Sequence, residues 1–429
     1  MESPMTDAAP PDRFPWRQVV VAAFLPTILF SIGEGAILPI IPVVAHDLGA
    51  GLSGAGLIAA MIVIGELLGD LPAGALVARI GERTAMIGAS VLSIAGVAIA
   101  FAAPNPWVLG IGILVIGVAT AAFGLARHAF MTSFVPPVYR ARALSTLGGT
   151  FRLGYLIGPF ATAGVIQATG IAANAFWIHL AACVAAIIVL LVLHDPADVV
   201  TTRPGPAARE AAGEQKGLFR TIADNRRVLG TLGLGAALVA ALRASRNVIL
   251  PLWALSIGVD EVTTAIIIGA AAGLDVALFY AGGWIMDRFG RLWTAVPSMI
   301  GLGVSHLLLA FTHDVPGAVV WFAVVAGLLS LSNGIGAGIL MTLGADLADP
   351  AHPGPFLGAW RFTADAGAAV APVLIAALTA AASLPVAAAV MGALGLAGAL
   401  DLRVFVPRYA GGRVERAARG AAEPGRAAS

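Results

Sequence analysis

Twelve apolar segments of about 20 residues or longer fill most of this chain, and a segment that long and that apolar is built to cross a bilayer. They run at 18–45, 52–77, 84–103, 107–135, 143–168 and 173–194, then at 228–257, 261–286, 293–312, 317–345, 354–380 and 384–405. None alternates with a period of two, so the spanning elements are helices and not strands. Composition supports this: 59% of the 429 residues are hydrophobic and 11% charged, against about 45–50% and about 25% in soluble domains. The expected fold class is an all-α polytopic membrane protein. A disulfide scaffold is excluded by a single cysteine, Cys183, and a nucleic-acid binder by a formal charge of only +1.

The basic residues set the orientation. Loops 46–51, 104–106, 169–172, 258–260 and 313–316 contain no Lys or Arg. The other side carries Arg79 and Arg83, Arg140 and Arg142, a cluster from Arg203 to Arg227, Arg288 and Arg291, and a tail from Arg403 to Arg426. By the positive-inside rule both termini are expected to be cytoplasmic, which requires an even number of spans. The polar, mixed-charge stretch Met1–Arg17 is no secretory signal, and the apolar run after it is too long for one. The expected division is an N-terminal segment 1–17, a six-helix bundle 18–194, a linker 195–227, a second six-helix bundle 228–405 and a tail 406–429. Within the linker, Lys216 to Arg227 reads as a short amphipathic helix on the membrane surface.

The two halves carry matching motifs. Gly74-Ala-Leu-Val-Ala-Arg-Ile-Gly-Glu-Arg83 follows span 2, and Gly283-Trp-Ile-Met-Asp-Arg-Phe-Gly-Arg-Leu292 follows span 8, at an offset of 209. The same offset sets Glu66 opposite Asp275, while Ile37-Leu-Pro39 aligns with Ile249-Leu-Pro251 at 212. Such a duplicated unit places a site between two pseudo-symmetric bundles. On these residues the chain resembles the major facilitator superfamily over 18–405. The second copy matches that family's loop signature through Gly283, Asp287, Arg288, Gly290 and Arg291. The first keeps Gly74, Arg79, Gly81 and Arg83 but has Ala78 in the acid's place. The resemblance implies that the acid faces a helix N-terminus in the opposite half, where the helix dipole favours it; only Asp287 can do so here. A gate of Arg79 and Arg83 with Asp346 and Asp349 is the expected compensation, the alternative being solvated charges worth about 0–1 kcal/mol per pair. In span 5, Gly154, Gly158 and Pro159 resemble the Gly-x-x-x-Gly-Pro signature of the family's proton-coupled exporters, with Thr162-Ala163 replacing the glycines that usually follow. Ordinary close helix packing accounts for the same residues.

Ionisable residues inside spans are expensive and mark function or a structural pair. The acids are Glu34, Glu66, Asp70, Asp275 and Asp365; the bases are Arg127, Arg152, Arg243, Arg246 and Arg361. Arg361 and Asp365 lie four apart and can pair within their helix. Arg152 and Arg361 occupy equivalent places in spans 5 and 11. Glu34, between two glycines that leave room beside it, is the first candidate for proton coupling, followed by Glu66 and Asp275. In the family, spans 1 and 7 line the central cavity, so Glu34 is expected to face Arg246, and competition for one carboxylate suffices to couple substrate to protons. The arginines and Asp365 are substrate-cavity candidates, with Trp253 and Trp360 as apolar wall. A buried salt bridge is the structural alternative for each charge.

No Walker-type phosphate loop, zincin His-Glu-x-x-His or Gly-x-Ser-x-Gly occurs, so neither ATP-driven transport by this chain nor hydrolysis is expected. One Cys and seven scattered His suggest no metal centre, and no cofactor is expected. The sequence predicts a monomeric secondary transporter in the cell membrane. Its expected partners are lipid, protons and a small molecule, with no nucleic acid. Export of an amphipathic organic compound is the first reading, and uptake of an anionic or zwitterionic solute the second. An intramembrane enzyme or sensor is a remote third.

Overall fold

Glycine and proline divide the apolar runs into helices. The structure, a computed structural model, describes residues 16–135, 137–192, 218–349 and 353–409. Helix α1 (Trp16–Ile37) stops just before Pro39, and the chain resumes as α2 (Ile41–Asp47) after a bend of 41°. Pro42 sits in the first turn of α2, where a missing N–H costs nothing. Then follow α3 (Leu52–Ile80), α4 (Glu82–Phe101), α5 (Pro106–Phe134), α6 (Pro137–Thr169), a 3₁₀ turn at Ala172–Ala175 and α7 (Phe176–Val192). The second half holds α8 (Leu218–Asp224), α9 (Arg226–Leu229), α10 (Leu232–Ser256), α11 (Glu261–Phe289), α12 (Leu292–Ala310), α13 (Ala318–Ile335), α14 (Ile339–Leu347), α15 (Pro353–Ala381) and α16 (Leu384–Tyr409). The break between α13 and α14 falls at Gly336-Ala337-Gly338, where Gly338 takes φ +82. Glycine adopts that left-handed conformation without steric cost.

Ten of these helices are long and apolar enough to cross a membrane, and the bent pair α1–α2 makes an eleventh. The remaining long helix, α6, contains Arg140, Arg142 and Arg152. No strand occurs among the described residues. The protein is a multi-pass helical membrane protein. The repeated loop motif has a local purpose: Gly81 and Gly290 end α3 and α11 at φ +83 and +96, reversing the chain into the next helix. The expected surface helix at Lys216–Arg227 is two short pieces, α8 and α9, joined at Asn225. Most of the linker, the chain before Trp16 and the tail beyond Tyr409 lie outside the described residues.

The halves pack alike. In the first, α3 and α4 lie against α5, and α1 against α6 and α7; in the second, α11 and α12 lie against α13, and α10 against α15 and α16. Glycines set the closest approaches. A Cβ at Gly158 in α6 would come within 2.5 Å of the Ala36 backbone, and one at Gly154 would strike Ser31. The residue 209 positions after Gly158, Gly367 in α15, presses on the Ala237 backbone of α10 in the same way. Thr162, where the exporter signature has glycine, donates a 2.7 Å hydrogen bond to the Ala36 carbonyl. The span 5 motif is therefore a helix-packing seam in this structure.

The bundles meet along two seams, α6 with α11 and α3 with α15. On the face away from the termini, Ile37, Ile41 and Ile58 share one apolar core with Ile249, Leu252 and Ile375. Toward the termini the first half keeps a separate core around Phe30, Met86, Phe123 and Phe130. Among the described residues, the apolar core shared by the two bundles therefore draws its first-half members from the face away from the termini.

Candidate functional site

Between the seams lies a cavity of about 440 Å³ lined from both halves. All ten ionisable candidates from the spans border it: Glu34, Glu66, Asp70, Asp275 and Asp365 with Arg127, Arg152, Arg243, Arg246 and Arg361. Helix packing places Glu34. A Cβ at Gly33 would lie 2.6 Å from the His179 ring in α7, and one at Gly35 2.9 Å from Tyr155 Cα in α6. The flanking glycines do leave room beside Glu34, and neighbouring helices fill it. Glu34 is 1% exposed, and neither carboxylate oxygen has a hydrogen-bond partner. Thr120, Arg127 and Tyr155 are its polar neighbours. The Arg127 guanidinium lies 4.7 Å from the Phe151 ring centroid, and its Nε is buried without a partner.

Asp275 is the opposite case. Arg152 Nη1 lies 2.7 Å from its Oδ2 and Arg246 Nη2 3.7 Å, while Asn333 Nδ2 donates to both oxygens at 3.0 Å. Buried carboxylates persist when charge and hydrogen bonds are met together, and these partners meet both needs. Arg152 also stacks 4.9 Å above Phe279. Arg246 donates to Ser330 Oγ at 3.2 Å, and Arg243 to the Gly336 carbonyl at 2.6 Å. The expected Glu34–Arg246 pairing is not formed: Arg246 is drawn to Asp275 on the adjacent helix, and the arginine beside Glu34 is Arg127.

At the second seam Arg361, half exposed, reaches Asp365 at 3.2 Å and crosses to Asp70 at 3.4 Å. Glu66, half-buried, makes no hydrogen bond or ion pair with a described residue. The charged groups nearest it are Glu34, Asp365, Asp70 and Arg361. Among the described residues, each seam thus contains one ion pair that joins the bundles.

The expected aromatic wall is wrong. Trp253 is fully buried in the apolar core, edge-on to His313 at 5.1 Å, and Trp360 is turned away to donate to the Leu340 carbonyl at 2.8 Å. The cavity aromatics are Phe151 and Tyr155, joined by Thr120, Asn247, Ser330 and Asn333. Tyr155 stands inside the span 5 motif and Asn333 is the lone amide of its span, so a signal existed for both. Nothing in the sequence assigns them a partner.

A model of the Major Facilitator Superfamily matches residues 23–285 and 232–427. The chain belongs to this superfamily. The uncharacterized MFS-type transporter YfkF of Bacillus subtilis (strain 168) is 30% identical over 160 residues, 36% of this chain. The match spans only 39% of that relative's length. Among solved structures, a POT family transporter in complex with a thioalcohol-conjugated peptide superposes with a TM-score of 0.73. It covers 92% of this chain and 96% of its own, at 13% identity. A D-xylose-proton symporter gives 0.71, over 93% and 99%, at 15% identity. At such identities the two superpositions speak for the MFS fold alone.

The MFS loop motif is arranged differently from expectation. Arg83 donates to the Leu190 and Leu191 carbonyls at 2.7 and 3.2 Å, where it meets the partial negative charge of the α7 C-terminus. Asp346 takes two bonds from Arg291, at 2.8 and 3.2 Å, within its own half. Both bond within their own halves, and none of the expected pairs of Arg79 or Arg83 with Asp346 or Asp349 forms between the described residues. Gly74, Arg79, Asp287, Arg288 and Asp349 are exposed, while Gly283 is partly covered. Between described residues, Arg152–Asp275 and Arg361–Asp70 are ion pairs that cross between the bundles.

Proposed function

We propose that the protein is a secondary transporter working by alternating access, which exports a small amphipathic organic compound across the cell membrane in exchange for protons. The observation that carries the reading is Glu34: a carboxyl buried in the wall of a cavity between two bundles, with both oxygens unpartnered. An ionisable group inside a membrane span is costly and is kept for a pathway or a pair. Glu34 has no ion-pair partner among the described residues. It can hold a proton in one state of the cycle and a ligand's polar group in the other, and that exclusion is sufficient for antiport.

Two further features support it. The apolar seal lies on the face away from the termini, so with the basic face cytoplasmic the cavity is closed to the outside and loads from within. Rocking the bundles must then break Arg152–Asp275 and Arg361–Asp70 together, which makes these ion pairs part of the switch.

The test uses vesicles holding the purified protein and an imposed pH gradient. Glu34→Gln is expected to abolish proton-driven flux while preserving exchange of substrate for substrate. Retention of wild-type pH dependence by this variant rejects the assignment. Direction is read separately, from accumulation of a compound panel in cells with and without the protein, each with and without a protonophore. Export predicts less accumulation with the protein, and loss of that difference on adding the protonophore. Greater accumulation selects the uptake reading.

A further inference from the structure

The ten charges around the cavity balance in number but not in place. Along the α3/α15 seam, and across to α1 and α5, stand Glu34, Glu66, Asp70 and Asp365 with Arg127 and Arg361. Along the α6/α11 seam, and onto α10, stand Arg152, Arg243 and Arg246 with Asp275. Four acids face two bases on the first flank; three bases face one acid on the second. Each flank carries two charges in excess, of opposite sign.

The excess has identifiable carriers. Both Glu34 oxygens are buried and unpartnered, and Glu66 pairs with no described residue, because Arg361 is taken up by Asp70 and Asp365. On the other flank Asp275 is saturated by Arg152, Asn333 and Arg246. Arg243 is left with the Gly336 carbonyl and a buried, unpartnered Nε. The cavity also has an aliphatic lining, with Leu38, Ile62, Val63, Leu250 and Ile268, about one or two turns from the charges toward the face away from the termini. A cavity of about 440 Å³ has the dimensions of a small-molecule site.

We propose that the ligand of this cavity is a zwitterion, with an ammonium group against Glu34 and Glu66, an oxyanion such as a carboxylate at Arg243, and an apolar body between them. A ligand of both signs satisfies both poles at once, whereas a simple cation or anion satisfies one and leaves the other desolvated. The inference rests on reading the cavity as the transport site, and it gives the exchange a physical form. The ligand's ammonium and the proton compete for the same carboxylates, so loading one releases the other.

The experiment measures binding by the purified full-length protein in detergent, as a ligand-dependent rise in melting temperature. The main probes are trans-4-(aminomethyl)cyclohexanecarboxylate, its methyl ester, which keeps only the amine, and its N-acetyl derivative, which keeps only the carboxylate. The flexible zwitterions 6-aminohexanoate and 3-aminopropanoate vary the spacing of the charges. At least one zwitterion is expected to bind about tenfold or more tighter than either single-charge derivative, the value of one good charge contact. Arg243→Gln is expected to erase the advantage over the methyl ester, and Glu66→Gln the advantage over the N-acetyl derivative. Arg243→Lys retains the preference, which separates loss of charge from loss of fold. An ester that binds as well as the zwitterion makes the site one for organic cations. An equal N-acetyl derivative makes it one for organic anions. Either result, or no shift with any zwitterion, overturns the proposal. None of these readouts needs a gradient, so binding without proton-driven flux refutes the antiport reading and leaves this one standing.

Discussion

At the α6/α11 seam Arg152 meets Asp275 at 2.7 Å, whereas at the α3/α15 seam the residue 209 positions later, Arg361, passes Glu66 and binds Asp70 and Asp365. The offset that relates the arginines also relates Asp275 to Glu66. What differs is the neighbours: Asp70 and Asp365 stand around Arg361 where Phe279 and Leu156 stand around Arg152. Phe279 gives Arg152 a face to lie on and no competing charge, so Arg152 is delivered to Asp275. Asp70 and Asp365 compete for Arg361 and win it, leaving Glu66 open to the cavity. A duplicated scaffold has been made asymmetric by two differences beside an ion pair, and the asymmetry yields one closed and one open carboxylate.

The largest test of this contrast compares Asp275→Asn with Glu66→Gln. Removing the acid that holds Arg152 and Arg246 strands buried charge, at an expected cost of about 3–5 kcal/mol. Glu66 has no partner to strand, so its replacement should cost well under about 1 kcal/mol or stabilise. Thermal unfolding in detergent measures both, and equal losses would break the comparison. Next come the paired glycines: Gly158→Ala and Gly367→Ala each drive a methyl group into the backbone of the facing helix. Each should cost about 1–3 kcal/mol, and a marked inequality between them would show that the halves do not pack equivalently.

Smaller effects are expected at the helix starts. Asp260 caps α11 by accepting from the Thr263 N–H at 2.8 Å, while its counterpart at the offset of 209, Gly51, leaves α3 without a side-chain cap. Asp260→Ala should cost about 1 kcal/mol. The Thr263 backbone hydrogen bond holds the Asp260 carboxyl below its ordinary value. A carboxyl depressed in the folded state stabilises fully above its unfolded pKa of about 3.9 and loses that contribution as pH falls through its folded value. The stability gap between wild type and Asp260→Ala should therefore be complete at neutral pH and close in acid. A gap that widens in acid would refute the cap. The smallest stability change is expected for Asp70→Asn, about 0–1 kcal/mol for a part-exposed pair. Its consequence is informative: Arg361 is released to Glu66, and a double-mutant cycle should show coupling between them only in the Asp70→Asn background.

Much of the architecture was legible in one dimension. The long apolar runs gave the helices, although the breaks at Pro39 and at Gly336–Gly338 fall inside runs 18–45 and 317–345 that read as continuous. The loop-motif glycines were legible as punctuation, and the structure shows why: each closes a helix with positive φ. The ten intramembrane charges that line the cavity were legible because charge inside a span is rare enough to stand out. The surface helix read at Lys216–Arg227 was less so, since Asn225 interrupts it.

The partnerships were not legible. Arg246 goes to Asp275 and not to Glu34, Arg83 to the end of α7 and Asp346 to Arg291, because an ion pair is decided by distances of a few ångström between elements far apart in the chain. Trp253 and Trp360 were misplaced for a related reason. In a helix whose lipid-facing and core-facing sides are both apolar, hydrophobic periodicity carries no phase, so an aromatic's direction cannot be read from its spacing. The sequence by itself determined the apolar spans, the duplicated motifs and the set of buried charges, since each depends on local chain chemistry or on comparing two stretches. Only the tertiary structure decided which charges neutralise one another and which, Glu34 and Glu66 above all, are left facing the cavity, because that depends on how closely the packed helices bring their side chains together.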